Sequence, residues 1–522
     1  MNFGFINFYP YRPHGHHAEF LRQIIDSEGH NTYSLDCKSS IPNCYLREVK
    51  GAGRSECIKC SLGALSSFDF DRTESIRKYN DGDESSLSIS SRSLVESSSY
   101  TLARIESDEQ RQGEDVLEYQ ERLIPSVEIA YRAVQKWIHA NKIDAVFLFN
   151  GRMDITRAAF EACKQLSVPC ITHERPLFGH GLILNLNENC SSLKNIHRIN
   201  KEFSDKPLTS SQLLIASKLL AQRFRGENSL EWKRYNESPS DVTQWPIKSN
   251  RKILICPSSK NELLGHPDWK TPWSDNTDAL DLLFDQEKIS PADCVVRFHP
   301  SWAVSFGRSD AKKCIEHYME WCNKHGIYFY ESGSSVNTRD LIRLSDLVVL
   351  NGSNTILEAG ALGKPTLCLG PSPYTYSGCA EDVLSFEQLQ SLDLNSILDV
   401  SSASIIRKTL RYAYSKAARE PLYLNNVRSN SVTDCEFYEG AGFEVIDSVM
   451  NGRFVVDDEA FSDSQSDEDE FIDKFLNWDS RFLEAAASWD WTPSGNPDML
   501  KVKRSGALHL IDKVRNLFPK GI

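Results

Sequence analysis

The segment from Asp346 to Gly370 constrains the fold of this 522-residue chain more than any other part of the sequence. An apolar run, Leu347 to Leu350, leads into a polar turn, Asn351 to Thr355, and then into a helical pattern that ends at Gly363-Lys364-Pro365. A second apolar run, Thr366 to Leu369, completes a predicted right-handed βαβ unit. Because buried parallel strands consist of such continuous apolar runs, the segment predicts a parallel sheet covered on both faces.

The turn between the two apolar runs carries the polar side chains of this segment. Backbone N–H groups at the start of a helix bind anions, and short side chains at 351–355 let phosphate oxygens approach them. Glu358 falls on the first helical turn, within reach of a ribose hydroxyl. We therefore predict a nucleotide-diphosphate site formed by Asn351, Ser353, Asn354, Thr355 and Glu358. An ordinary βαβ unit with a capped helix and no ligand stays open, since Asn, Ser and Thr are common helix caps.

Length, charge and cysteine usage limit the class of protein. The chain is too long for one core and predicts two domains with additional segments. Its net charge of −13 argues against a general nucleic-acid binder, whose surface would be basic. The sequence has neither an apolar run of about 18 residues nor a leader-like N-terminus, so we expect a soluble, cytoplasmic protein. The 14 cysteines are spread along the chain and are expected to be reduced.

Apolar runs alternate with helical patterns along most of the chain, which predicts an α/β fold of two Rossmann-like domains facing a central cleft. We expect an N-terminal domain at 1–235, a C-terminal domain at 250–430 and a C-terminal extension at 431–522, with Asn236 to Asn250 as the linker. The predicted strands are 3–8, 31–35, 144–149 and 169–173 in the first domain, and 252–256, 294–298, 327–330, 347–350 and 366–369 in the second.

Several other segments are expected to lie outside these cores. Residues 80–100 are rich in serine and are interpreted as an exposed insertion, and Asp457 to Glu470 as a solvated acidic run. The histidine-rich residues 9–17 are expected to form a loop before a helix that begins at Ala18. A last helix, Leu508 to Leu517, is expected to pack on the body of the protein.

Polar residues follow almost every predicted strand. Ligands bind beyond the carboxyl ends of the strands in sheets of this kind, so a cleft between the two domains should bring these residues together. They are Arg12, His14, His16, His17, Asn150 to Arg152, His173 to Arg175, Ser258, Ser259, His299, Pro300, and Asn351 to Glu358.

Taken together, these motifs resemble the capsule polysaccharide biosynthesis family of GT-B glycosyltransferases, which includes the bacterial Kdo transferases. The similarity spans about residues 1–75 and 140–390, and it lies in the order of the motifs and their placement at strand ends. The motifs are Phe149-Asn-Gly-Arg152, His173-Glu-Arg175, Arg297-Phe-His-Pro300, Ser335-Val-Asn-Thr338, Asn351-Gly-Ser-Asn-Thr355 with Glu358, and Gly363-Lys-Pro365.

The resemblance implies that the second domain binds a nucleotide-sugar donor, a UDP- or CMP-sugar, and that the first binds a glycan or lipid-linked glycan acceptor. The implied donor contacts are Arg297, His299, Pro300, Ser353 and Thr355 to phosphate, and Glu358 to the ribose. Ser258 and Ser259 either donate to the phosphate or sugar, or form an ordinary helix cap. The family often has serine directly followed by threonine, whereas Asn354 separates the two hydroxyls here.

Sugar transfer needs a base for the acceptor hydroxyl and positive groups for the departing phosphate. Glu174 and His16 are the candidate bases, and His299 with Arg297 would stabilise the leaving group, without a metal at the reaction centre. The alternatives stay open that the histidines cap a helix, that Glu174 forms an ion pair with a neighbouring arginine, and that His299 only supports its turn.

Four cysteines, Cys37, Cys44, Cys57 and Cys60, form the pattern C-x6-C-x12-C-x2-C. The closing Cys-x-x-Cys can chelate one metal ion with two thiolates, so a structural zinc site is predicted. Unligated thiols remain an alternative, because the first spacing is wider than in the common zinc knuckle, and a redox or iron–sulfur role is a further one.

The sequence thus predicts a glycosyltransferase that moves a sugar to a surface glycan of the capsule or lipopolysaccharide type, working at the cytoplasmic side of a membrane through peripheral contact. A nucleotide-sugar 2-epimerase and a non-catalytic binding protein with the same fold are the two alternatives. Neither the oligomeric state nor the donor base is indicated by any motif.

Overall fold

The computed structural model describes residues 1–10, 13–65, 67–68, 73–82, 86–106, 112–231, 240–275, 277–305, 310–491 and 498–500. Its first half contains six strands, β1 (Asn2–Ile6), β2 (Asn31–Asp36), β3 (Glu74–Ser75), β4 (Ala145–Phe149), β5 (Cys170–Glu174) and β6 (Ile183–Leu186). The helices of this half are α1 (His14–Ser27), α2 (Tyr45–Lys50), α3 (Ser55–Leu65), α4 (Ser91–Ala103), α5 (Glu114–Asn141), α6 (Asp154–Gln165), α7 (Lys194–Phe203) and α8 (Ser210–Arg225).

The second half contains the strands β7 (Ile253–Cys256), β8 (Cys294–Arg297), β9 (Tyr328–Tyr330), β10 (Leu347–Leu350), β11 (Thr366–Leu369) and β12 (Glu381–Val383). Its helices are α9 (Asp278–Asp285), α10 (Lys312–His325), α11 (Thr338–Leu344), α12 (Ile356–Ala361), α13 (Phe386–Gln390), α14 (Leu394–Leu398) and α15 (Ser402–Tyr414). The C-terminal extension adds a hairpin, β13 (Val427–Ser431) and β14 (Asp434–Phe437), and the helices α16 (Phe443–Met450), α17 (Ser466–Leu476) and α18 (Ser480–Ser488).

Both sheets have the same strand order. It is β3-β2-β1-β4-β5-β6 in the first and β9-β8-β7-β10-β11-β12 in the second, which is the Rossmann order 3-2-1-4-5-6 twice. All paired strands run parallel except β6, which pairs antiparallel with β5. The predicted class, α/β with two Rossmann-like domains, is confirmed.

Alternate residues of the central strands pack into different cores, as a sheet covered on both faces requires. In β10, Val348 and Leu350 face a core that includes α8, α12 and α15, whereas Leu347 and Val349 face one that includes α9 and α10. In β1, Phe3 packs with α1 on one face. On the other face, the indole of Trp137 lies so close to Gly4 that a Cβ there would be 2.5 Å from it.

The carboxyl edges of the two sheets face each other across a cleft, which is the GT-B arrangement. Arg104, just after α4, donates to the carbonyl oxygens of Ser301 (2.9 Å) and Val304 (2.6 Å) beyond β8. On the opposite side, Asn200 of α7 donates to the carbonyl oxygens of Pro373 (2.9 Å) and Thr375 (2.8 Å) beyond β11. Loops that follow strands of the second sheet therefore contact the first domain directly.

The C-terminal extension covers both domains. Phe437 of β14 and Ile446 of α16 pack into the core that contains Phe3 and Phe20 of the first domain. Helices α17 and α18 pack on the second domain together with α8, although α8 lies within the range predicted for the first domain. The three ranges expected for the domains stay predictions. Helix α8 precedes the predicted linker in the sequence but packs with the second domain, so packing and sequence order give different boundaries.

Two expectations about polar segments are wrong. The second half of the serine-rich stretch, residues 91–100, belongs to helix α4, in which Leu94 and Val95 are buried and Ser98 accepts a hydrogen bond from the backbone N–H of Asp154 (2.7 Å). Serine hydroxyls that bond to backbone groups lose their need for water, so this helix packs closely on α5 and α6. Part of the acidic run forms α17, where Glu468 is only 1% exposed.

The first helix begins earlier than expected, at His14 rather than at Ala18, so the three histidines lie on its first turn. The residues outside the described part of the chain include Arg12, residues 83–85 of the serine-rich stretch, residues 236–239 of the predicted linker and the predicted last helix. No helix in the described part of the chain has the length and apolar character needed to cross a membrane.

A buried ion pair attaches α17 to the second domain. The carboxylate of Glu468 accepts from the guanidinium of Arg411 at 2.7 and 2.8 Å and from the backbone N–H of Leu208 at 2.9 Å. Both side chains are at most 3% exposed. The pair therefore joins α15, α17 and the start of α8 at one point.

We expect Glu468→Leu to lower the free energy of unfolding by about 3–5 kcal/mol, because Arg411 would keep a buried charge without its carboxylate partner. The matched control is Glu470→Ala on the exposed side of the same helix, which should cost less than about 1 kcal/mol. Urea unfolding followed by tryptophan fluorescence measures both. Equal midpoints for the two variants would contradict a structural role of the pair.

Candidate functional site

The first-domain side of the cleft is built around the carboxyl ends of β4 and β5. Asn150, which follows β4, donates its amide to Glu174 at the end of β5 (3.0 Å). The other carboxylate oxygen of Glu174 accepts from the backbone N–H of Arg175 (2.9 Å) and lies 3.7 Å from the Nδ1 atom of His14. Glu174 is thus held in place by two neighbouring strand ends and by the first turn of α1.

Burial raises the pKa of Glu174 to about 7, although the hydrogen bonds from Arg175 and Asn150 act in the opposite direction. About a fifth of its side chain, 21%, stays exposed. A carboxyl group with such a pKa exchanges its proton near neutral pH, which is the property a general base requires.

The histidines near Glu174 are neutral in the folded protein. Burial lowers the pKa of His14 and of His17 well below the usual value, with help from neighbouring positive groups, and lowers the pKa of His173 to about 3. His14 stacks on Phe149 with ring centroids 3.7 Å apart. His16, the second candidate base, is 4% exposed and packs against Phe437, so it is His14 that lies beside Glu174.

Arg152 connects this side of the cleft to the second domain. Its guanidinium donates to the hydroxyls of Ser97 (2.9 Å) and Thr101 (3.0 Å) on α4. It also lies 3.8 Å from the carboxylate of Glu262, which belongs to the loop after β7. Arg175, by contrast, is turned away and donates to the carbonyl oxygen of Pro176 (3.2 Å).

On the second-domain side, the predicted polar turn follows β10 as expected. The side-chain oxygen of Asn351 accepts from the backbone N–H of Ser258 (2.7 Å) and thereby joins the loops after β10 and β7. The hydroxyls of Ser353 and Thr355 are 2.8 Å apart, and Ser353 also accepts from the backbone N–H of Thr355. Asn354 is exposed. The helix that follows, α12, is six residues long.

Glu358 is engaged in an ion pair. The guanidinium of Arg223, on α8, lies 3.0 Å from its carboxylate and also pairs with Glu231 at 2.6 Å. These two carboxylates raise the pKa of Arg223 against the opposing effect of burial. A ribose hydroxyl could reach Glu358 only by sharing the carboxylate with Arg223.

Arg297, the last residue of β8, is buried, whereas His299, which follows the strand, is half-buried. Arg297 is 2% exposed, and its guanidinium donates to the carbonyl oxygens of Phe298, Glu331 and Ser334 at 2.7–3.0 Å. Its hydrogen bonds thus hold the loop after β9. The Nδ1 atom of His299 lies 2.6 Å from the hydroxyl of Ser301 and accepts from its backbone N–H at 3.2 Å, with Pro300 starting the turn. The second ring nitrogen, Nε2, therefore carries the proton.

The loop after β7 is bound by a carboxylate from the first domain. Glu106 accepts from the hydroxyl of Ser259 (2.6 Å), from the amide of Asn261 (2.9 Å) and from the backbone N–H of Lys260. Burial raises the pKa of Glu106, and these three donors partly offset that effect. The predicted donor ligand Ser259 is therefore used in a contact between domains.

The sequence analysis missed two residues of this site, Glu106 and Lys260. Glu106 carries no motif and is recognisable only from the contact it makes in space. Lys260 follows β7 directly after the two serines, so its position at a strand end was a usable signal. Its side chain is 9% exposed and lies close to Gly352 and Gly370.

The four clustered cysteines line one cavity of about 30 Å³ between α2, α3 and the end of β2, together with Tyr9 and Asp36. Burial raises the pKa of Cys37 well above its usual range and that of Cys44 to about 12. Four thiols are the donor type that a structural zinc ion uses, but no three of these sulfur atoms lie within 4.8 Å of one another, so side-chain rearrangement would be needed to bind one ion.

A different group, Glu188, His266 and Asp268, is the one within the described chain whose ligand atoms all lie within 4.8 Å of one another. It lies where the loop after β6 meets the loop after β7. Glu188 forms an ion pair with Lys194, and Asp268 accepts from the hydroxyl of Ser192 (2.8 Å). The carboxylates of Glu188 and Asp268 therefore already have partners within the protein.

No model of a known protein family matches the chain, and no curated protein matches it either. Solved structures with a similar fold include the Kdo transferase KpsC of Thermosulfurimonas dismutans, at 12% identity and a TM-score of 0.33, covering 59% of this chain and 87% of that one. They include the UDP-GlcNAc 2-epimerase of Methanocaldococcus jannaschii, at 10% identity and a TM-score of 0.27, covering 77% and 94%.

The glycosyltransferase SnogD of Streptomyces nogalater is a third similar structure, at 10% identity and a TM-score of 0.22, covering 80% of this chain and 95% of that one. At such low identity and TM-score, these likenesses say nothing about individual residues or substrates. The function proposed for this chain therefore does not rest on them.

Proposed function

We propose that the protein is a glycosyltransferase that moves a sugar from a nucleotide-sugar donor, a UDP- or CMP-sugar, to a glycan acceptor. The observation that carries this proposal is the state of Glu174. It is a carboxyl with a pKa of about 7 at the strand ends of one Rossmann-like domain, and the polar turn after β10 lies at the strand ends of the other. This combination supplies a base on the acceptor side and a phosphate site on the donor side.

In the proposed reaction the acceptor hydroxyl attacks the anomeric carbon of the donor sugar. Its proton passes to the carboxylate of Glu174, and the bond between the anomeric carbon and the phosphate oxygen breaks. The bonding electron pair leaves with the nucleotide. His299 carries its proton on Nε2 and so offers a hydrogen bond to the departing phosphate oxygen, while Ser353 and Thr355 bind the phosphate from the β10 turn.

The roles of the remaining predicted residues follow from their contacts. Asn351 and Ser258 shape the floor of the donor site through their mutual hydrogen bond, and Asn354 is exposed at its rim. Arg297 supports the start of the loop after β8 through Phe298 and the loop after β9 through Glu331 and Ser334. Glu358 binds the ribose while paired with Arg223.

The acceptor we propose is a surface glycan of the capsule or lipopolysaccharide type, free or linked to lipid, reached from the cytoplasmic face of the membrane. The resemblance of the strand-end motifs to the capsule polysaccharide family supports this acceptor class. A 2-epimerase would need the same donor site but no acceptor, and a binding protein would need no base.

A thermal-shift screen against UDP, CMP, GDP, dTDP and their sugar conjugates tests the donor site. We expect one nucleotide to raise the melting temperature selectively, because a ligand that binds only the folded state stabilises it. His299→Ala should remove the shift, whereas Ser301→Ala, which takes away the partner of the imidazole but keeps the ring, should retain it.

Turnover assays with the nucleotide sugar that stabilises the protein separate the alternatives. Turnover of the stabilising nucleotide sugar without any acceptor, giving its 2-epimer, would favour the epimerase. Binding without turnover in the presence of glycan acceptors would favour the binding protein. If no nucleotide shifts the melting temperature, the proposed function is wrong.

The pKa of Glu174 predicts how transfer depends on pH. The carboxylate is the basic form, so kcat/KM should rise as the pH increases through about 7. Glu174→Gln should remove this rise and lower kcat by about 10²–10⁴-fold. Glu262→Gln removes another carboxylate beside Arg152 and should leave the pH profile unchanged. A profile retained in Glu174→Gln would assign the base to a different residue.

We also propose that Cys37, Cys44, Cys57 and Cys60 hold one structural zinc ion, which would replace the protons of the buried thiols. Elemental analysis of protein purified without added metal or chelator should give about one zinc per chain. Cys60→Ser should lose the metal and melt at a lower temperature, while Cys435→Ser, outside the cluster, should keep it. Four freely titratable thiols in metal-free wild-type protein would instead favour unligated cysteines.

A further inference from the structure

Lys260 occupies the topological switch point of the second sheet. It comes shortly after β7, the first strand of that sheet, and the neighbouring strand β10 is reached only after the chain has crossed to the other half. Ligands of doubly wound sheets bind in the crevice at this point. The side chain of Lys260 is 9% exposed, so a long cationic side chain is placed where solvent hardly reaches it.

Two glycines lie beside this side chain, and Trp269 and Thr271 pack against the same two glycines. A Cβ on Gly352, after β10, would lie 3.8 Å from the Cε atom of Lys260, and a Cβ on Gly370, after β11, would lie 3.9 Å from its ammonium nitrogen. Their φ angles are +108° and +118°, a region that residues with a side chain rarely adopt. Backbone that follows β10 and β11 therefore lies next to the Lys260 side chain.

Among the residues that the structure describes, no hydrogen bond or ion pair involves the ammonium nitrogen of Lys260. The carboxylate of Glu106 accepts from the backbone N–H of Lys260 and not from its ammonium group. It also accepts from the side chains of Ser259 and Asn261. Burial lowers the pKa of Lys260 to about 8, and the two groups that oppose this effect are Cys368 at the end of β11 and Glu106.

A buried cation with no counter-charge lowers the stability of a folded chain. Side chains that carry such a cost are concentrated at binding and catalytic sites, where a ligand supplies the missing partner. A cation at a switch point, beside two glycines and bordered by Trp269 and Thr271, calls for a small anion. A phosphate group has that size and charge.

We propose that Lys260 is the residue that binds the phosphate of the anionic ligand at the switch point of the second domain. This inference rests on the proposed function only for the identity of the ligand, a nucleotide sugar. That the bound group is an anion follows from the position of Lys260 alone. In the transfer reaction, the same ammonium group would neutralise the charge that develops on the departing phosphate.

Titration calorimetry of the full chain with pyrophosphate, with the stabilising nucleotide and with its uncharged nucleoside tests the inference. Lys260→Met should weaken the binding of pyrophosphate and nucleotide by about 10–100-fold, as expected for the loss of one charge-assisted hydrogen bond, and leave nucleoside binding unchanged. Lys260→Arg should retain part of the affinity. Lys270→Met, an exposed lysine of the same loop, should bind like the wild type.

Two further measurements separate binding from a structural role. Without ligand, Lys260→Met should melt at the same temperature as the wild type or higher, because it removes an uncompensated buried charge. The anion affinity of the wild type should fall as the pH rises through about 8, where the amine loses its proton, and this fall should be absent in Lys260→Arg. A lower melting temperature of Lys260→Met without any loss of affinity would make the lysine structural and overturn the inference.

The outcomes also distinguish the inference from the proposed function. If the nucleotide binds wild type and Lys260→Met equally, the inference is wrong and the proposed function stands. If pyrophosphate binds through Lys260 but no nucleotide or nucleotide sugar binds, the inference stands and the proposed function is wrong. Failure of the wild type to bind any of these anions would overturn both.

Discussion

A strand that is apolar on both faces has no position for a polar side chain along its length. Within such a sheet, polar side chains are therefore found beyond the strand ends. Both sheets of this chain obey that constraint, since β1, β4, β7, β8 and β10 are buried along nearly their whole length. Every polar group of interest consequently lies at one edge of its sheet. The cleft exists because these two edges face each other, and its chemistry depends on which residues follow each strand.

The contacts that hold the two edges together use the same loops that form the candidate site. Glu106 reaches from the first domain to the loop after β7, and Arg104 reaches to the loop after β8. Arg152, which follows β4 of the first domain, lies 3.8 Å from Glu262 in the loop after β7. Domain contact and the proposed ligand binding therefore use the same loops, and a ligand that moved the loop after β7 would also change how Glu106 connects the domains.

The sequence was sufficient to predict nine of the twelve strands of the two sheets, but not the edge strands β3, β6 and β12, and only part of the site. The bounds of β10 and β11 agree with the predicted 347–350 and 366–369, because buried parallel strands need uninterrupted apolar runs and those are visible in one dimension. Residues at strand ends could be predicted for the same reason. Whether their side chains point into the cleft could not, and Arg297, which binds three carbonyl oxygens, illustrates the difference.

The failures of prediction share a physical cause. Polarity was interpreted as exposure for the serine-rich and acidic segments, yet serine hydroxyls in α4 bond to backbone groups and Glu468 finds Arg411 inside the protein. Glu106 lies in no motif, and its partners are more than 150 residues away in the sequence. Partners at such distances are defined by packing and cannot be recognised from local composition.

The return of the chain to its starting domain has a consequence for folding during synthesis. Phe3 and Phe5 of β1 share a core with Phe437 and Ile446, which the ribosome delivers only after the whole second domain has been made. Until then, one face of the first sheet lacks part of its cover, and chains emerge at about 5–20 residues per second. A nascent chain of this protein thus carries an incompletely covered apolar surface for tens of seconds, a period in which chaperone binding and aggregation compete with the arrival of its last helices.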